Sequence, residues 1–451
     1  MYDQLFRRFL FPFYEERIAG RKTASYINEY MANLQKRRAE LEAIQLAGLK
    51  QLLEHAQNNC SYYRETWKEL GFEPGKLVSL DDLSQLPVLD KETIRENYDG
   101  FVAKTHSGKN ILKATGGSSG SPFQFELDGV SNERRQAVMW RGYGAIGAGL
   151  GTKTLYVWGA HIAPVGKKTQ IKDRLYHLFY NRKILNSFDM RDDNVGDYVH
   201  AHNQYRPRAV VGYVNPLVTM ADYILENKLA VHAPEAILTG AEPLYEFQRE
   251  KIERAFKAPV YNTYGCREFM LIGSECTERN GLHINIDHLV VELVDSDGQS
   301  AGVSHGDVVV TDLYNYGFPL IRYRNGDQAS LGEATDCACG SPLPRLRSID
   351  GRKLDVIRTP DGKAIPGEFF PHLLKDYPAV KQFQIVQETL DTVDLNVALN
   401  DGFAAQDLHE ALALVEKHLG DTVNVQLHIL REIPLTSSGK LRVAISKVQG
   451  E

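Results

Sequence analysis

The stretch "KATGGSSGSPFQFELD", Lys113 to Asp128, decides how this chain is read. Every residue from Gly116 to Ser121 is glycine or serine, and Phe123, Phe125 and Leu127 then alternate with polar residues. Three readings compete: a slack linker, a serine nucleophile on a tight turn, and a loop shaped to hold phosphate. Gly116-x-Ser118-x-Gly120 matches the hydrolase nucleophile elbow, which must pass from a strand into a helix. Pro122 and the period-two apolar run announce a strand instead. A Walker A loop is excluded, because no lysine follows the last glycine. A Gly/Ser loop beside a strand offers backbone N–H groups clear of side chains, plus hydroxyl donors. That chemistry suits the β- and γ-phosphates of a nucleotide.

A second glycine set, Gly142, Gly144 and Gly147, matches the dinucleotide fingerprint G-x-G-x-x-G. What precedes it, "SNERRQAVMWR", is helical in pattern, and no acidic residue waits about 20 positions on, so the fingerprint lacks both of its contexts. A helix end with close packing accounts for these glycines better.

Working outward, 451 residues suffice for two or three domains with a substantial core. A net charge of −6 gives no general attraction to nucleic acid. The apolar region Gly142–Gly166 is too interrupted for a membrane span. "MYDQLFRRFLFPFYEER" has no cleavage site of a signal peptide. Its aromatics and arginines suit either a membrane surface or, the preferred reading, a helix packed on its own domain. Five cysteines in a chain of this size suggest a reducing, cytoplasmic setting.

Residues Tyr26 to Leu70 carry helical periodicity, and Ser79 and Asp90 are N-cap candidates. From Lys113 on, short apolar runs ("TKTLYVWG", "RAVVGY", "AILTGAEPL", "APVYNTYG") alternate with helical segments, which predicts a partly parallel sheet with helices on its faces. After Gly281 the pattern is β: "HLVVELVD", "GDVVVTDL", "PLIRYRNGD". From about Gly351, two strand-like runs and the helix "AAQDLHEALALVEKHLG" suggest a small α+β domain.

Four further segments follow the Gly/Ser loop in order: "YNTYGCRE", "LIRYRNGD", "SIDGRKLD" and "PLTSSGKLR". With "TGGSSGSP" they resemble the core motifs of the adenylate-forming superfamily, which includes acyl-CoA synthetases. "LKQLLEHAQNNCSYYRE", "TGAEPL", "ECTERNGLHI" and "CACG" are most similar to the phenylacetate–CoA ligase family, in its branch named for capsular polysaccharide biosynthesis. The resemblance covers nearly the whole chain. It implies an α/β fold with a large N-terminal domain, residues 1–350, of mixed sheets flanked by helices, its helical part about 1–100. A small mobile C-terminal α+β domain, 351–451, would follow.

The resemblance also implies roles. Thr115, Gly116, Gly117, Ser118, Ser119 and Gly120 would bind ATP, together with Gly240, Ala241, Glu242 and Pro243 of "TGAEP" and Asn262, Thr263, Tyr264 and Gly265. Tyr264 and Gly265 would lie beside the adenine and α-phosphate. Glu268 would hold Mg²⁺, a hard cation that needs oxygen ligands. Asp327 would accept hydrogen bonds from the ribose hydroxyls, and Arg352 would contact ribose or phosphate. Leu354 stands where the superfamily commonly has an aspartate hinge, with Asp355 one place later, so the pivot is left unassigned. Lys440, in a Ser/Gly loop, would bridge the acid and the α-phosphate. Lys440, Glu268 and Tyr264 form the expected catalytic set.

Cys276, His283, Cys337 and Cys339 satisfy the donor count of a closed tetrahedral zinc site, although not at zinc-finger spacing; free thiols are the competing reading. Cys60 and Cys266 are read as packing. Trp158, His161, Tyr213 and Gly240 are candidates for the acid pocket, where an aromatic lining would suit an aryl or arylacetic acid. The implied activity is ATP-dependent adenylation of a carboxylate, then transfer to coenzyme A; any oligomer is expected to be a homodimer. The alternatives keep the first step and pass the acyl group to an amine, a sugar or a carrier-protein thiol. Further off stand a serine hydrolase and a non-catalytic nucleotide-binding protein.

Overall fold

The computed structural model describes residues 2–115, 123–159, 167–191, 193–300, 302–333, 335–352, 357–361, 364–365, 367, 369–374, 377–434 and 442–448. They divide into two compact units: Met1–Asn325 with Ala329–Ile349, and Gly326–Gln328 with Asp350–Glu451. Among the described residues no helix is long and apolar enough to cross a membrane.

The first unit opens with helices Thr23–Asn33, Arg38–Asn59 and Ser61–Leu70. Leu41, Leu49, Leu52 and Leu53 are fully buried, as their helical spacing requires. Asp90 caps Lys91–Glu96 by accepting from the Thr93 N–H at 2.8 Å. Ser79 opens a 3₁₀ turn, Leu80–Gln85, rather than an α-helix.

Strands β1 (Ile111–Ala114) and β2 (Gln124–Leu127) pair antiparallel, Ile111 opposite Leu127 and Ala114 opposite Gln124. The Gly/Ser segment therefore joins two strands of one hairpin. Past Ala114 the ladder continues, with Thr115 N donating to the Phe123 carbonyl at 2.9 Å. A strand on both sides removes the strand-to-helix context that a nucleophile elbow needs. Gly142 and Gly144 lie in the last turn of the helix Gly129–Ala145 and Gly147 follows its end at φ +94°, the helix end that their surroundings predict. A Cβ on Gly142 would meet the Leu271 side chain at 2.4 Å, so close packing explains that glycine.

Among the described residues the main sheet has eleven strands. Those in its parallel half are β3 (Thr154–Trp158), β4 (Arg182–Asn186), β5 (Ala209–Tyr213), β6 (Ala236–Gly240) and β7 (Val260–Tyr264). They run in the order β7-β6-β5-β3-β4, and every pairing is parallel. Every residue of β5 and of β6 is buried, as expected for strands covered on both faces. Val210, Ile237, Leu217, Ile252 and Phe256 form a fully buried core on one side. Each such side chain contributes roughly 1.5–3 kcal/mol. β4 carries no strong pattern of its own in the sequence, whereas Val195, Tyr198, Val199 and His202 follow the i, i+3, i+4, i+7 spacing of the helix Val195–Tyr205.

The antiparallel half holds β8 (Gly273–Ser274), β9 (Leu282–Ile284), β10 (Leu289–Val294), β11 (His305–Asp312), β12 (Tyr323–Leu331) and β13 (Arg345–Arg352), in the order β8-β9-β13-β12-β11-β10. β12 starts later than its apolar run suggests. Leu320 and Ile321 are buried but irregular, and Arg322 has φ +53°.

In the second unit β14 (Ile357–Arg358) pairs with β15 (Ala364–Ile365). β16 (Val380–Thr389), β17 (Thr392–Leu399), β18 (Asn424–Leu430) and β19 (Ala444–Ser446) form a sheet ordered β18-β17-β16-β19. The expected helix is His409–Leu419, behind a 3₁₀ turn at Ala405–Leu408. The sequence reading had two strands and one helix here. β18 alternates, with Val425 and Leu427 packed on the core between Asn424, Gln426 and His428, a signal the sequence reading passed over; β19 is three residues long and too short to show a period.

Candidate active site

Parallel strands aim their carboxyl ends at one edge of the sheet, and ligands of open α/β sheets bind beyond that edge. Trp158 ends β3, Tyr213 ends β5, Gly240 ends β6 and Tyr264 ends β7. Four of the expected residues thus come together by strand order alone. The Trp158 and Tyr213 rings lie 4.2 Å apart between centroids, and Phe188 packs on Tyr213 at 6.3 Å. Phe188 was not foreseen, because the turn Ser187–Asp189 has no periodicity to mark it. Gly240 must be small: a Cβ there would meet the Thr263 hydroxyl at 2.8 Å. The Thr263 hydroxyl in turn donates to the Thr239 carbonyl at 2.7 Å, which ties β7 to β6.

Beyond β6, Ala241 adopts φ +68°, a left-handed conformation that a non-glycine residue holds only when its surroundings require it. Glu242 accepts from Asn215 N at 2.8 Å and from Asn215 Nδ2 at 3.0 Å. Asn215 lies in the first turn of the helix Val214–Glu226, where a carboxylate is favoured by the helix dipole. Pro243 follows directly. The "TGAEP" loop is therefore pinned to the helix that follows β5. Burial, and next the Glu242 charge, hold the Tyr213 hydroxyl above its usual range. On β7, Asn262 N donates to Glu275, which also takes a two-pronged bond from Arg249 at 2.7 and 3.1 Å.

β7 is also where the sheet changes sense, because its other neighbour, β8, runs antiparallel. The connection is tight. A Cβ on Gly265 would stand 1.8 Å from the Met270 carbonyl oxygen, and Met270 itself has φ +65°. Glu268 rides on this turn at 5% exposure. The Tyr323 hydroxyl donates to its Oε1 at 2.9 Å, and Asn325 Nδ2 donates to the Tyr264 hydroxyl at 2.7 Å. Tyr323 and Asn325 lie within "RYRNGD" and alternate on β12, yet only their contacts reveal what they hold. The Phe123 ring stacks on Tyr323 at 5.6 Å and 13°. The mouth of the Gly/Ser hairpin and the Glu268 carboxylate thus meet one tyrosine, the first at its ring face and the second at its hydroxyl. Helix Gly129–Ala145 adds the buried Arg135, whose guanidinium donates to the Arg267 carbonyl at 2.5 Å. A buried carboxylate fits a hard cation, since oxygen is the donor such an ion requires.

The remaining expected residues are placed as follows. Thr115 lies just past the end of β1, and Phe123 N donates to its hydroxyl at 3.3 Å. Asp327 is half-buried on β12, in the stretch Gly326–Gln328 that groups with the second unit. Arg352 ends β13 in that same unit. Gly116, Gly117, Ser118, Ser119, Gly120, His161, Leu354, Asp355 and Lys440 lie outside the described residues.

A second cluster sits in the antiparallel half. The ligand atoms of Cys276, His283, Cys337 and Cys339 all lie within 4.8 Å of one another. Cys276 Sγ is 3.6 Å from Cys337 Sγ, and Cys339 Sγ is 3.4 Å from His283 Nε2. A tetrahedral zinc with thiolate and imidazole donors has ligand–ligand edges of roughly 3.5–3.8 Å. His283 Nδ1 bonds the Leu343 carbonyl at 2.9 Å, which points Nε2 at the sulfurs, the usual outer contact of a metal-bound histidine. Burial pushes the Cys276 thiol up to about 12, so a thiolate there calls for a cation beside it. Cys60 is buried and its thiol donates to the Phe101 carbonyl at 3.4 Å, in keeping with a packing role.

The mixed sheet, with a parallel half and an antiparallel half meeting at β7, is a fold shared with solved acyl-CoA ligases. A 2-hydroxyisobutyryl-CoA ligase in its postadenylation state superposes with a TM-score of 0.73, at 22% identity, over 91% of this chain and 90% of the other. By sequence the chain is similar to CapK and to the phenylacetate–coenzyme A ligases. It is 25% identical to Protein CapK of Staphylococcus aureus over 429 residues, 94% of each chain. It is 25% identical to the phenylacetate–coenzyme A ligase of Thermus thermophilus over 437 residues, 90% of this chain and 96% of the relative. Residues 357–447 match the CapK C-terminal domain family.

Proposed function

We propose that this chain is an AMP-forming acid–thiol ligase. A carboxylate attacks the α-phosphate of ATP to give acyl-AMP and pyrophosphate. Coenzyme A then attacks the acyl carbonyl, giving an acyl-CoA thioester and AMP. The observation that carries this reading is the placement of Tyr264 and Glu268 on the turn where the sheet changes sense, beside the mouth of the Gly/Ser hairpin. Homology with phenylacetate–coenzyme A ligases over nine-tenths of the chain supports the same chemistry.

In this reading the hairpin loop, residues Thr115 to Gly120, binds the β- and γ-phosphates through its N–H groups. Gly240–Pro243 and Asn262–Gly265 seat the adenine and α-phosphate. Asp327 accepts from the ribose hydroxyls and Arg352 adds a cation to the nucleotide. Glu268 holds Mg²⁺, which when bound offsets charge on the pyrophosphate. Lys440 bridges the substrate carboxylate and the α-phosphate, then leaves before the thiol arrives. The substrate needs no strong base, because its carboxyl is already ionised at neutral pH. Trp158, Tyr213 and Phe188 favour an aryl or arylacetic acid. Cys276, His283, Cys337 and Cys339 hold a structural zinc. The enzyme works in the cytoplasm, where ATP and coenzyme A are at hand.

ATP–pyrophosphate exchange against aryl, arylacetic and aliphatic acids tests the first step, and product mass with and without coenzyme A tests the second. Acid-dependent exchange and a thioester formed only with coenzyme A are expected. A product joined to an amine, a sugar or a carrier protein would change the acceptor. ATP-independent ester cleavage lost in Ser118→Ala would restore the hydrolase reading. Lys440→Ala should lower adenylation by about 10³-fold or more and leave thioester formation from supplied acyl-AMP largely intact; an equal fall in both half-reactions would refute the role given to Lys440.

A further inference from the structure

The N-terminal segment has a face that ligase chemistry does not use. Residues Tyr2 to Ile18 form one helical run of alternating pieces: α at Tyr2–Leu5 and Phe11–Phe13, π at Phe6–Leu10 and Tyr14–Ile18. One stripe of it, Phe6, Phe11 and Glu15, is buried. Phe6 packs edge-on against Phe179 at 5.0 Å and Tyr180 at 5.5 Å, and Tyr14 meets Phe179 at 5.1 Å. The run is thereby docked on the end of the helix Lys167–Phe179.

A different stripe is just as apolar and faces solvent. Leu5, Phe9, Phe13 and Ile18 are 48%, 64%, 61% and 66% exposed. They recur every four or five residues, the spacing that keeps side chains on one face when wider π turns alternate with α turns. On the neighbouring helix Leu175 and Leu178 are 61% and 71% exposed. Single exposed apolar residues are ordinary, but six on two segments that meet through Phe6 and Phe179 are more than scatter, and such exposure marks an interaction site. The flanking exposed charges are mainly one sign: Arg7, Arg8, Arg17, Lys172 and Arg174, against the exposed acid Glu16 and the half-buried Asp3 and Asp173, of which Asp3 pairs with Arg7 at 3.4 Å. This occurs in a chain whose net charge is −6.

We propose that these two helices dock the protein on an anionic lipid bilayer, lying in the plane of the interface. Phe9, Phe13, Ile18 and Leu178 enter the headgroup–acyl boundary. The arginine stems lie along the apolar face while their guanidinium groups bind lipid phosphates. An aliphatic and aromatic stripe edged by arginine and lysine fits such a surface in both polarity and charge. A protein partner would have to match the same stripe with an apolar groove rimmed by acids.

The test is co-sedimentation of the full chain with vesicles of phosphatidylcholine alone, or of phosphatidylcholine with phosphatidylglycerol. The protein should partition onto the anionic vesicles only, and less as salt rises. Phe9→Glu with Phe13→Glu should lower partitioning at least ~10-fold, and so should Arg7→Glu with Arg8→Glu. Leu178→Glu, on the second helix, should weaken it independently, which guards against local unfolding in the first two variants. ATP–pyrophosphate exchange should be unchanged in all three. No binding to anionic vesicles at low salt would overturn the proposal, as would variants that bind like the wild type. A wild-type dimer that the Phe9/Phe13 variant converts to monomer would assign the face to a second copy and overturn it too.

Discussion

The two halves of the eleven-stranded sheet hold together by different means. In the parallel half, β5 and β6 are buried end to end, with apolar cores on both faces. In the antiparallel half, charged groups are buried deliberately in pairs. Arg322, 1% exposed, meets Glu292 at 3.1 Å, and it also donates to the Leu86 carbonyl and, at 2.7 Å, to the Gly298 carbonyl. Arg141 bonds Asp287 through two nitrogens at 2.7 and 2.8 Å, and Asn33 adds a bond at 2.9 Å. The Cys/His cluster belongs to this half as well. Parallel strands need helices on both faces, and that cover supplies a dry core. The antiparallel half is specified more by satisfied polar networks, which are costly to leave half-made. The candidate site falls on the seam, on a turn tight enough to fix Glu268.

Breaking the seam should give the largest effects. Glu268→Gln keeps the shape and removes the charge. Adenylation should fall on the order of 10²–10³-fold with an unchanged melting temperature, measured by pyrophosphate exchange beside calorimetry. A variant as active as wild type would remove Glu268 from the chemistry. Gly265→Ala attacks the turn instead, because its Cβ would collide with a backbone carbonyl that cannot step aside. It should lose about 3 kcal/mol or more in denaturant unfolding, along with activity.

The antiparallel half can be probed alone. Cys337→Ser should lose stoichiometric zinc by elemental analysis and about 3 kcal/mol of stability, since metal affinity is folding free energy in such sites. Pyrophosphate exchange should survive at temperatures where that variant remains folded. Wild-type protein purified without chelator and free of zinc would dismiss the metal. The smallest effect concerns acid. Burial holds His288 down to about 3, and the Tyr30 hydroxyl lies 2.9 Å from its Nδ1. The unfolded chain takes up this proton below its ordinary value of about 6.5, and the fold does not. Stability should therefore be unaffected above that pH and decline as pH falls from there toward 3. At pH 5 the loss should be at most about 2 kcal/mol, and it should shrink in His288→Gln.

Much of this was legible beforehand. The runs that became β3, β5, β6 and β7 are short, apolar and separated by helical periodicity, so local pattern and tertiary role agree. "TGGSSGSP" could be placed before a strand because Phe123, Phe125 and Leu127 alternate; that β1 precedes it as the hairpin partner came only from the fold. β19 left little trace, because three residues carry no period; β18 was legible in the alternation of Val425, Leu427 and Ile429 and was passed over. Tyr323 and Asn325 stood in a quoted motif with no sign of what they would hold. Their partners lie 55 and 61 residues away, a separation that periodicity cannot bridge.

The chain by itself determined the element types, the order of the motifs and the chemical kind of each candidate residue. These follow from side-chain period and donor type, which are local properties. Only the folded molecule decided that four strand ends meet, that the sheet reverses at Glu268, and that cysteines some 60 residues apart come within 3.6 Å. Such contacts depend on strand order and close packing, which no stretch of sequence states alone.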